Sequence, residues 1–495
     1  MLDVPHDLYT AEQTRELERF ASEEYNISSS ELMTRAGSSA LTTLKYLCSK
    51  AESVLVLCGT GNNGGDGFEL ARQAAEEKYD VIIMQVGDKS KLTKIATAAR
   101  ESLLATGCKI NPFKDKLPSV DIIVDAIMGV GINREPIGEY NAAIRAINQA
   151  KDTPVLSLDI PSGIDADTGI AFGNAVQATV CLNYVGLNLG LFTGDGPNYC
   201  GKVHFDSLKI PSAVYKQLRP IARRITLEKD GALLAPRKRT GHKGHYGHLL
   251  VIGGNHGMSG AARMAAEGGA RVGSGLTSIA TRSTHSPLMS LMRPELMSHG
   301  IEHPQDLKPL LSSANAYVVG PGLGQDIWAE GLYQKALDSN LPVVMDADAL
   351  NLLSKNPQYH SNWILTPHPG EAARLLNCSV TEVQSNRLNA VKKIQQKYGG
   401  VAVLKGSGTL IDNGEDLTRL SSWGNPGMAS GGMGDILAGV IGSLLAQGFP
   451  LMDAACVGVA LHGMAGDRAA KQDGERGMLA MDLLPHLRHL ANLIF

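Results

Sequence analysis

Apolar runs of strand length alternate with helical patterns along most of the chain. SVLVLC (53–58), DVIIMQV (80–86), DIIVDAI (121–127), PVLSLD (154–159) and ATVCL (178–182) read as strands that are apolar on both faces. Helical stretches over 67–78, 91–105 and 138–150 lie between the earlier ones. Ahead of them, Thr10 with Gln13 makes a capping-box pattern, and Leu17, Phe20, Ala21 and Tyr25 recur at helical spacing. A second helix is expected over 30–49. Strand alternating with helix predicts βαβ units and a doubly wound sheet.

The rhythm stops between about 211 and 241. The segment RPIARRITLEKDGALLAPRKRTG is basic, has two prolines and few apolar runs. It reads as a linker, which predicts one domain over 1–217 and another over 223–495. Alternation then resumes with HLLVIGG (248–254), LTSIAT (276–281), AYVVG (316–320), PVVMD (342–346), WILTP (363–367) and VAVLKG (401–406). Helices are expected over 432–447, 451–468 and 478–493, with no strand between them. The fold class is α/β in two domains.

Composition narrows the function. The chain has 495 residues, 43% of them hydrophobic and 19% charged, enough to bury sizeable cores. A net charge of -3 removes the electrostatic case for a nucleic-acid partner. The seven cysteines are odd in number and none forms a C-x-x-C, which fits a reducing compartment. The opening MLDVPHDLYTAEQTRELE carries charges where a signal peptide needs an apolar core. The longest weakly polar stretch, 436–448, falls short of the about 20 residues that span a bilayer. A cytoplasmic protein without a membrane partner is expected, as is a homo-oligomer. The 55 glycines cluster after apolar runs, where backbone approaches a ligand.

Three loops in the first half carry candidate chemistry. GTGNNGGDG follows a strand and precedes a helix, VDAIMGVGINRE places Asp125 at a strand end, and SLDIPSGID places Asp159 at another. Ligands of open α/β sheets bind beyond the carboxyl ends of strands, so the three loops are expected to share one crevice. Asn62, Asn63 and Asp66 also read as a plain turn, since Asn and Asp cap turns readily. GNNGGDG, DAIMGVGINR and DIPSGID in this order resemble the NAD(P)HX epimerases, or YjeF N-terminal domain, a Rossmann-like fold, over about 1–217. That resemblance implies a potassium ion held by Asn63, Asp125 and Ser162. It also implies contacts to the hydrated dinucleotide from Asn62, Asn63, Gly64, Gly65 and Asp66, from Gly129, Val130, Gly131, Ile132, Asn133, Arg134 and Glu135, and from Asp159. The substrate's C6 is a hemiaminal, which can lose and regain hydroxide on either face. A carboxylate near that hydroxyl can shuttle the proton, and Asp159 is the candidate.

The second half has sharper motifs. LKGSGTLI sets Lys405 at a strand end with glycines after it. GNPGMASGGMGDILAG is a glycine-rich stretch running into a helix, with Asp435 in its first turn. Free N–H groups there favour an anion, and an Asp there can serve as a base; a plain helix-dipole role for Asp435 stands beside that reading. GHKGHYGH could bind metal, although a backbone-rich ligand loop suits it better. G-G-M-G-D followed by a helix resembles ribokinase-like kinases. With GPGLG, TPHPGE and KGSGT it resembles more narrowly the ADP-dependent NAD(P)HX dehydratases, the YjeF C-terminal domain, over about 223–495. That resemblance implies nucleotide contacts from Lys405, Gly406, Ser407, Gly408, Thr409 and Gly434, and hydrate contacts from Ala261, Gly322, His368 and Asp435. ADP is the implied co-substrate, with Mg2+, and NADHX and NADPHX are the implied substrates. Two alternatives remain open at this stage: a ribokinase-like vitamin or precursor kinase, and an N-terminal domain that only binds.

Overall fold

The computed structural model describes residues 4–227, 231 and 234–492. Residues 1–3 of the opening segment, 228–230, 232 and 233 of the expected linker, and 493 of the last expected helix lie outside the described residues. The chain divides into two compact units, Met1–Arg223 and Arg224–Phe495.

In the first unit β1 (Asp7–Leu8) pairs antiparallel with the start of β9 (Ala222–Arg224). The main sheet contains β2 (Ser53–Cys58), β3 (Asp80–Gln85), β4 (Ile110–Pro112), β5 (Ile122–Ala126), β6 (Val155–Leu158), β7 (Val180–Tyr184) and β8 (Lys202–Asp206). Its order is β4-β3-β2-β5-β6-β7-β8, and every pair is parallel. The continuous apolar runs follow from burial on both faces. Val54, Val56 and Cys58 of β2 join one core, while Leu55 and Leu57 join the core on the other side. The expected central strands are present. The edge strands β4 and β8 were not expected, because INP and KVHFD are partly exposed and carry no apolar run.

In the second unit the strands are β10 (His248–Ile252), β11 (Leu276–Thr281), β12 (Met297–Gly300), β13 (Ala316–Val319), β14 (Val343–Met345), β15 (Trp363–Leu365), β16 (Val401–Leu404), β17 (Thr409–Asp412) and β18 (Thr418–Ser421). They run in the order β18-β17-β16-β15-β14-β13-β10-β11-β12. All pairs from β12 to β16 are parallel; β16-β17 and β17-β18 are antiparallel. The helices Met433–Ala446 and Leu451–Asp473 match two of the three expected at the end of the chain. The third is shorter than expected, Leu483–Leu490 after a 3-10 turn at Ala480–Asp482. Among the described residues no helix is long and apolar enough to cross a membrane.

The first glycine-rich segment departs from expectation. The helix begins at Asn62 and runs to Glu76, so GNNGGDG is mostly helical rather than a loop. None of its glycines sits at positive φ. A Cβ on Gly64 would lie 2.1 Å from the Gly59 carbonyl oxygen, and one on Gly67 would lie 2.5 Å from the Ala126 side chain. These glycines are present because the helix lies against the backbone of its neighbours, with no unusual conformation required.

The same constraint acts between Ser259–Val272 and Met433–Ala446, where a Cβ on Gly439 would lie 1.8 Å from the Ala265 carbonyl oxygen. Gly439→Ala is therefore expected to cost about 1–3 kcal/mol through overpacking. Gly260→Ala, in open space on a helix, is expected to be neutral or to stabilise by about 0.4–1 kcal/mol. Denaturant melts of the two variants check the contrast, and equal midpoints would refute it.

Candidate active site

In the first unit the carboxyl ends of β2, β5 and β6 open on a cavity of about 750 Å³. Asn62, Asn63, Asp66, the stretch Gly129 to Glu135, and Asp159 all line it. Gly64 and Gly65 are buried beside it in the helix packing, and Asp125 and Ser162 are fully buried behind it.

Asp125 organises that buried layer. Its Oδ1 accepts from Ser162 Oγ at 2.6 Å and from the Ile127 N–H at 3.2 Å. Its Oδ2 accepts from Ser157 Oγ and the Ser162 N–H, each at 2.9 Å. The Met128 N–H donates to Ser162 Oγ at 2.8 Å, so the pair fixes the turn that carries the Gly129 stretch. Burial raises the Asp125 pKa, and those donors oppose the shift. Asn63 sits beside Gly129, is 6% exposed, and has neither Oδ1 nor Nδ2 paired among the described residues. An unpaired buried amide is costly unless a ligand completes it.

Asp159 follows β6 with φ 65, the left-handed region that Asp tolerates at a cost. That backbone turns its carboxylate into the cavity, where Oδ2 accepts from the Val130 N–H at 3.0 Å. Asn183 Nδ2 donates to the Asp159 carbonyl at 2.9 Å and to Oδ1 at 3.3 Å. Desolvation pushes the Asp159 pKa up to about 6, against the Val130 N–H, Arg15 and Asn183. Asp66 is pushed well above the usual carboxylate range by burial and by Asp159 and Glu18. Glu18 and Arg15 come from the helix Ala11–Tyr25, which reading by motif did not connect with the crevice.

In the second unit Lys405 stands among carboxylates. Its Nζ is 2.7 Å from Asp346 Oδ1 and 3.9 Å from Glu371 Oε2. Burial works against its charge, yet Asp346 and Glu371 leave its pKa raised. Thr366 Oγ1 donates to the same Asp346 oxygen at 2.7 Å. A Cβ on Gly434 would lie 3.3 Å from Lys405 Nζ, so the first turn of Met433–Ala446 faces the lysine. Asp435, in that turn, is pushed up to about 7 by desolvation and by Asp346, with Lys405 opposing. Burial pushes Glu371 up to about 7 as well.

The predicted contacts group as follows. His368 Nδ1 accepts from the Gly370 N–H at 3.0 Å, so Nε2 carries the proton and faces Glu371 Oε1 at 3.5 Å. Burial and the nearby Lys405 lower the His368 pKa. Gly322, at φ 57, lies against Ala261, whose Cβ would be 3.1 Å from a Cβ added there. Gly406 and Gly408, at φ 135 and φ 65, turn the hairpin from β16 into β17, with Ser407 between them and Thr409 opening β17. Arg387 lies beneath that hairpin, 2% exposed, and donates to the carbonyls of Leu404, Lys405 and Gly408 at 3.3, 3.2 and 3.4 Å. Asp346, Glu371 and Arg387 were not singled out by motif, although DADALNLL and TPHPGE contain the first two.

The histidines of GHKGHYGH do not form a metal site. His242 and His245 stack with ring centroids 3.6 Å apart on the 3-10 turn Lys243–Tyr246. A Cβ on Gly247 would lie 1.9 Å from the Ala446 carbonyl, so this segment packs on a helix end. Among the described residues no three His, Cys, Asp or Glu side chains are grouped to hold a metal.

Two family models match the chain: YjeF-related protein N-terminus over residues 29–189 and NAD(P)H-hydrate dehydratase over residues 249–488. A bifunctional NAD(P)H-hydrate repair enzyme of Coxiella burnetii is 48% identical over 98% of this chain and 99% of its own. One from Escherichia coli is 42% identical over 99% and 95%. One from Leishmania braziliensis is 35% identical over 98% and 93%. Among solved structures, a ribokinase-like superfamily protein of Enterococcus faecalis is 29% identical over 54% of this chain and 95% of its own, with a TM-score of 0.50. A hypothetical protein of Streptococcus mutans is 26% identical over 55% and 99%, with a TM-score of 0.51. The chain belongs to the family of bifunctional NAD(P)H-hydrate repair enzymes.

Proposed function

We propose that residues 1–217 interconvert the R and S forms of hydrated NADH and NADPH, and that residues 223–495 dehydrate the S form with ADP, releasing AMP and phosphate. Membership of a family named as bifunctional NAD(P)H-hydrate repair enzymes, with a model named NAD(P)H-hydrate dehydratase over the second half, supports the pairing. The observation that carries the reading is the Lys405, Asp346 and Asp435 cluster at the N-terminus of the helix Met433–Ala446. Asp435, held near neutrality, would take the proton from the C6 hydroxyl as that oxygen accepts a phosphoryl group. Lys405 and the N–H groups after Gly432 would hold the charge of the transferring group, with the nucleotide as its Mg2+ complex. Phosphate would then leave with help from the ring nitrogen. Lys405 to Thr409 and Gly434 would bind the nucleotide; Ala261, Gly322 and His368 would bind the hydrate. The ribokinase-like kinase reading is not favoured, because the full-length relatives are named as repair enzymes.

In the first unit Asp159 would exchange the proton of the C6 hydroxyl, with Asn62 to Asp66 and Gly129 to Glu135 contacting the dinucleotide. A potassium ion fits the oxygen-rich set Asn63, Asp125 and Ser162, and the unpaired Asn63 Oδ1 is an acceptor that a weakly charged cation would satisfy. The ion would tie the β5 and β6 loops together.

The direct test supplies a mixed R/S hydrate with ADP or ATP and follows the return of reduced-nicotinamide absorbance. Full recovery with ADP is expected. A product that retains the phosphate would overturn the dehydratase reading in favour of a kinase. Asp159→Ala should leave dehydration intact and halt recovery when the S form is exhausted, apart from slow spontaneous interconversion. Continued wild-type consumption of both forms would remove Asp159 from the reaction.

Asp435→Asn should lower dehydration by on the order of 10²-fold or more and spare epimerisation. It should also stabilise the second unit at high pH. The folded pKa of about 7 exceeds the ordinary 3.8, so the stabilising contribution of the protonated carboxyl is full below about 4 and lost as pH rises through 7. At pH 8 the amide should gain on the order of 1–2 kcal/mol, after discounting for solvent screening, and nothing at pH 4. Melting curves at both pH values measure this; equal shifts at the two would refute the burial argument.

A further inference from the structure

Five acidic residues line the cavity of the first unit, and three of them come from the elements around the strand ends: Asp159 after β6, Asp66 from Asn62–Glu76, and Glu18 from Ala11–Tyr25. Glu18 and Asp66 make no hydrogen bond or ion pair among the described residues, and both are half-buried. Each is therefore open to the cavity and free to meet a ligand there. Asn63, buried, unpaired and lining the same cavity, independently marks the space as built for a ligand.

Hydrogen bonds link the start of the helix that presents Glu18 to the residues that hold Asp159. Its N-cap Thr10 and Gln13 close a capping box at 3.0 and 3.1 Å, and Asp167 Oδ1 accepts from the Ala11 N–H at 2.7 Å. Asn188 Nδ2 reaches both the Tyr9 carbonyl and Thr14 Oγ1 at 3.4 Å. Asn188 Oδ1 accepts at 2.8 Å from Asn183 Nδ2, which also holds Asp159. A chain of fully buried amides thus couples the position of the Glu18 helix to that of Asp159. Thr14, Arg15 and Glu18 then share one face of that helix by i, i+4 and i, i+3 spacing, and all three line the cavity.

We propose that Glu18 is the second acid–base residue of the epimerase site, acting on the face of the ring opposite to Asp159. This rests on the epimerase reading above. Protonated Glu18 gives its proton to the C6 hydroxyl. The C6–O bond breaks with both electrons going to oxygen, water leaves, and the ring nitrogen lone pair forms the iminium. Water adds to C6 from the other face, and ionised Asp159 takes the proton it releases. One proton has passed from Glu18 to Asp159, and either exchange with solvent or a turnover in the reverse direction restores the starting state. Two carboxyl groups are needed because each face requires an acid in one direction and a base in the other. Desolvation, with Asp159 adding to it and Arg15 opposing, pushes Glu18 up to about 7.

The test uses the full chain and follows each epimer by chromatography, with dehydration of the S form as an internal control. Glu18→Gln should lower kcat for R-to-S conversion by on the order of 10²-fold or more, with KM little changed. Glu18→Asp, which keeps the carboxyl, should recover part of that loss. Wild-type kcat in Glu18→Gln overturns the proposal, and so does a rise in KM alone, which would make Glu18 a binding group. Equal loss in both variants together with loss of the native melting transition assigns Glu18 to folding and also overturns it. Failure of the wild-type chain to interconvert the epimers would instead defeat the epimerase reading itself.

Discussion

Carboxyl groups held out of water without full compensation are the constraint around which both units are arranged. A parallel sheet presents its strand ends on one side, and each loop leaving that side can carry a polar group into the crevice. In the first unit that places Asp125 near the end of β5 and Asp159 just after the neighbouring β6. Asp125 is compensated by two hydroxyls and two backbone N–H groups, so it fixes geometry. Asp159 is compensated less, by one backbone N–H and one amide, so it stays poised between charge states. The difference in hydrogen-bond supply turns two similar strand-end residues to different tasks.

The second unit solves the same problem with a cation. Lys405 sits between Asp346 and Glu371, and its charge also lowers the pKa of Asp435. Removing any one charge would leave the others more exposed to the cost of burial. Arg387 contributes from beneath by donating to the hairpin carbonyls of Leu404, Lys405 and Gly408. The helix Met433–Ala446 supplies the remaining positive potential through its free N–H groups. Its small residues let it lie directly on Ser259–Val272, which sets where Asp435 stands.

Much of this was legible in the sequence. Central strands were read from runs apolar on both faces, and the capping box of Thr10 and Gln13 is formed as read. The strand-end rule brought Asn63, Asp66, Gly129 to Glu135 and Asp159 to one cavity. Edge strands escaped because a strand buried on one side only has no continuous apolar run. The glycines of GNNGGDG were read as letting backbone approach a ligand, whereas Gly64 and Gly67 serve close packing of a helix, a distinction that depends on the neighbouring elements. Glu18 carries no motif at all. Its place in the cavity depends on which face of an ordinary amphipathic helix is pinned by Asn188, a contact 174 residues away in the chain.

The two units share a condition imposed by these environments. As the proposed base, Asp435 would act best at pH at or above the value of about 7 to which burial pushes it. The proposed epimerase pair would need one carboxyl protonated and the other ionised. With Asp159 pushed up to about 6 and Glu18 to about 7, that mixed state is most populated between the two values. The overlap falls close to neutrality, although an ordinary carboxyl titrates near 4. Desolvation is the first cause of the shift at all three residues, and each is tuned by neighbours of its own unit. Burial in two separate units therefore brings the carboxyls of both proposed proton transfers into one pH range. An enzyme that converts one epimer before removing water from the other would need both reactions active together, and the same physical device in each unit would supply that.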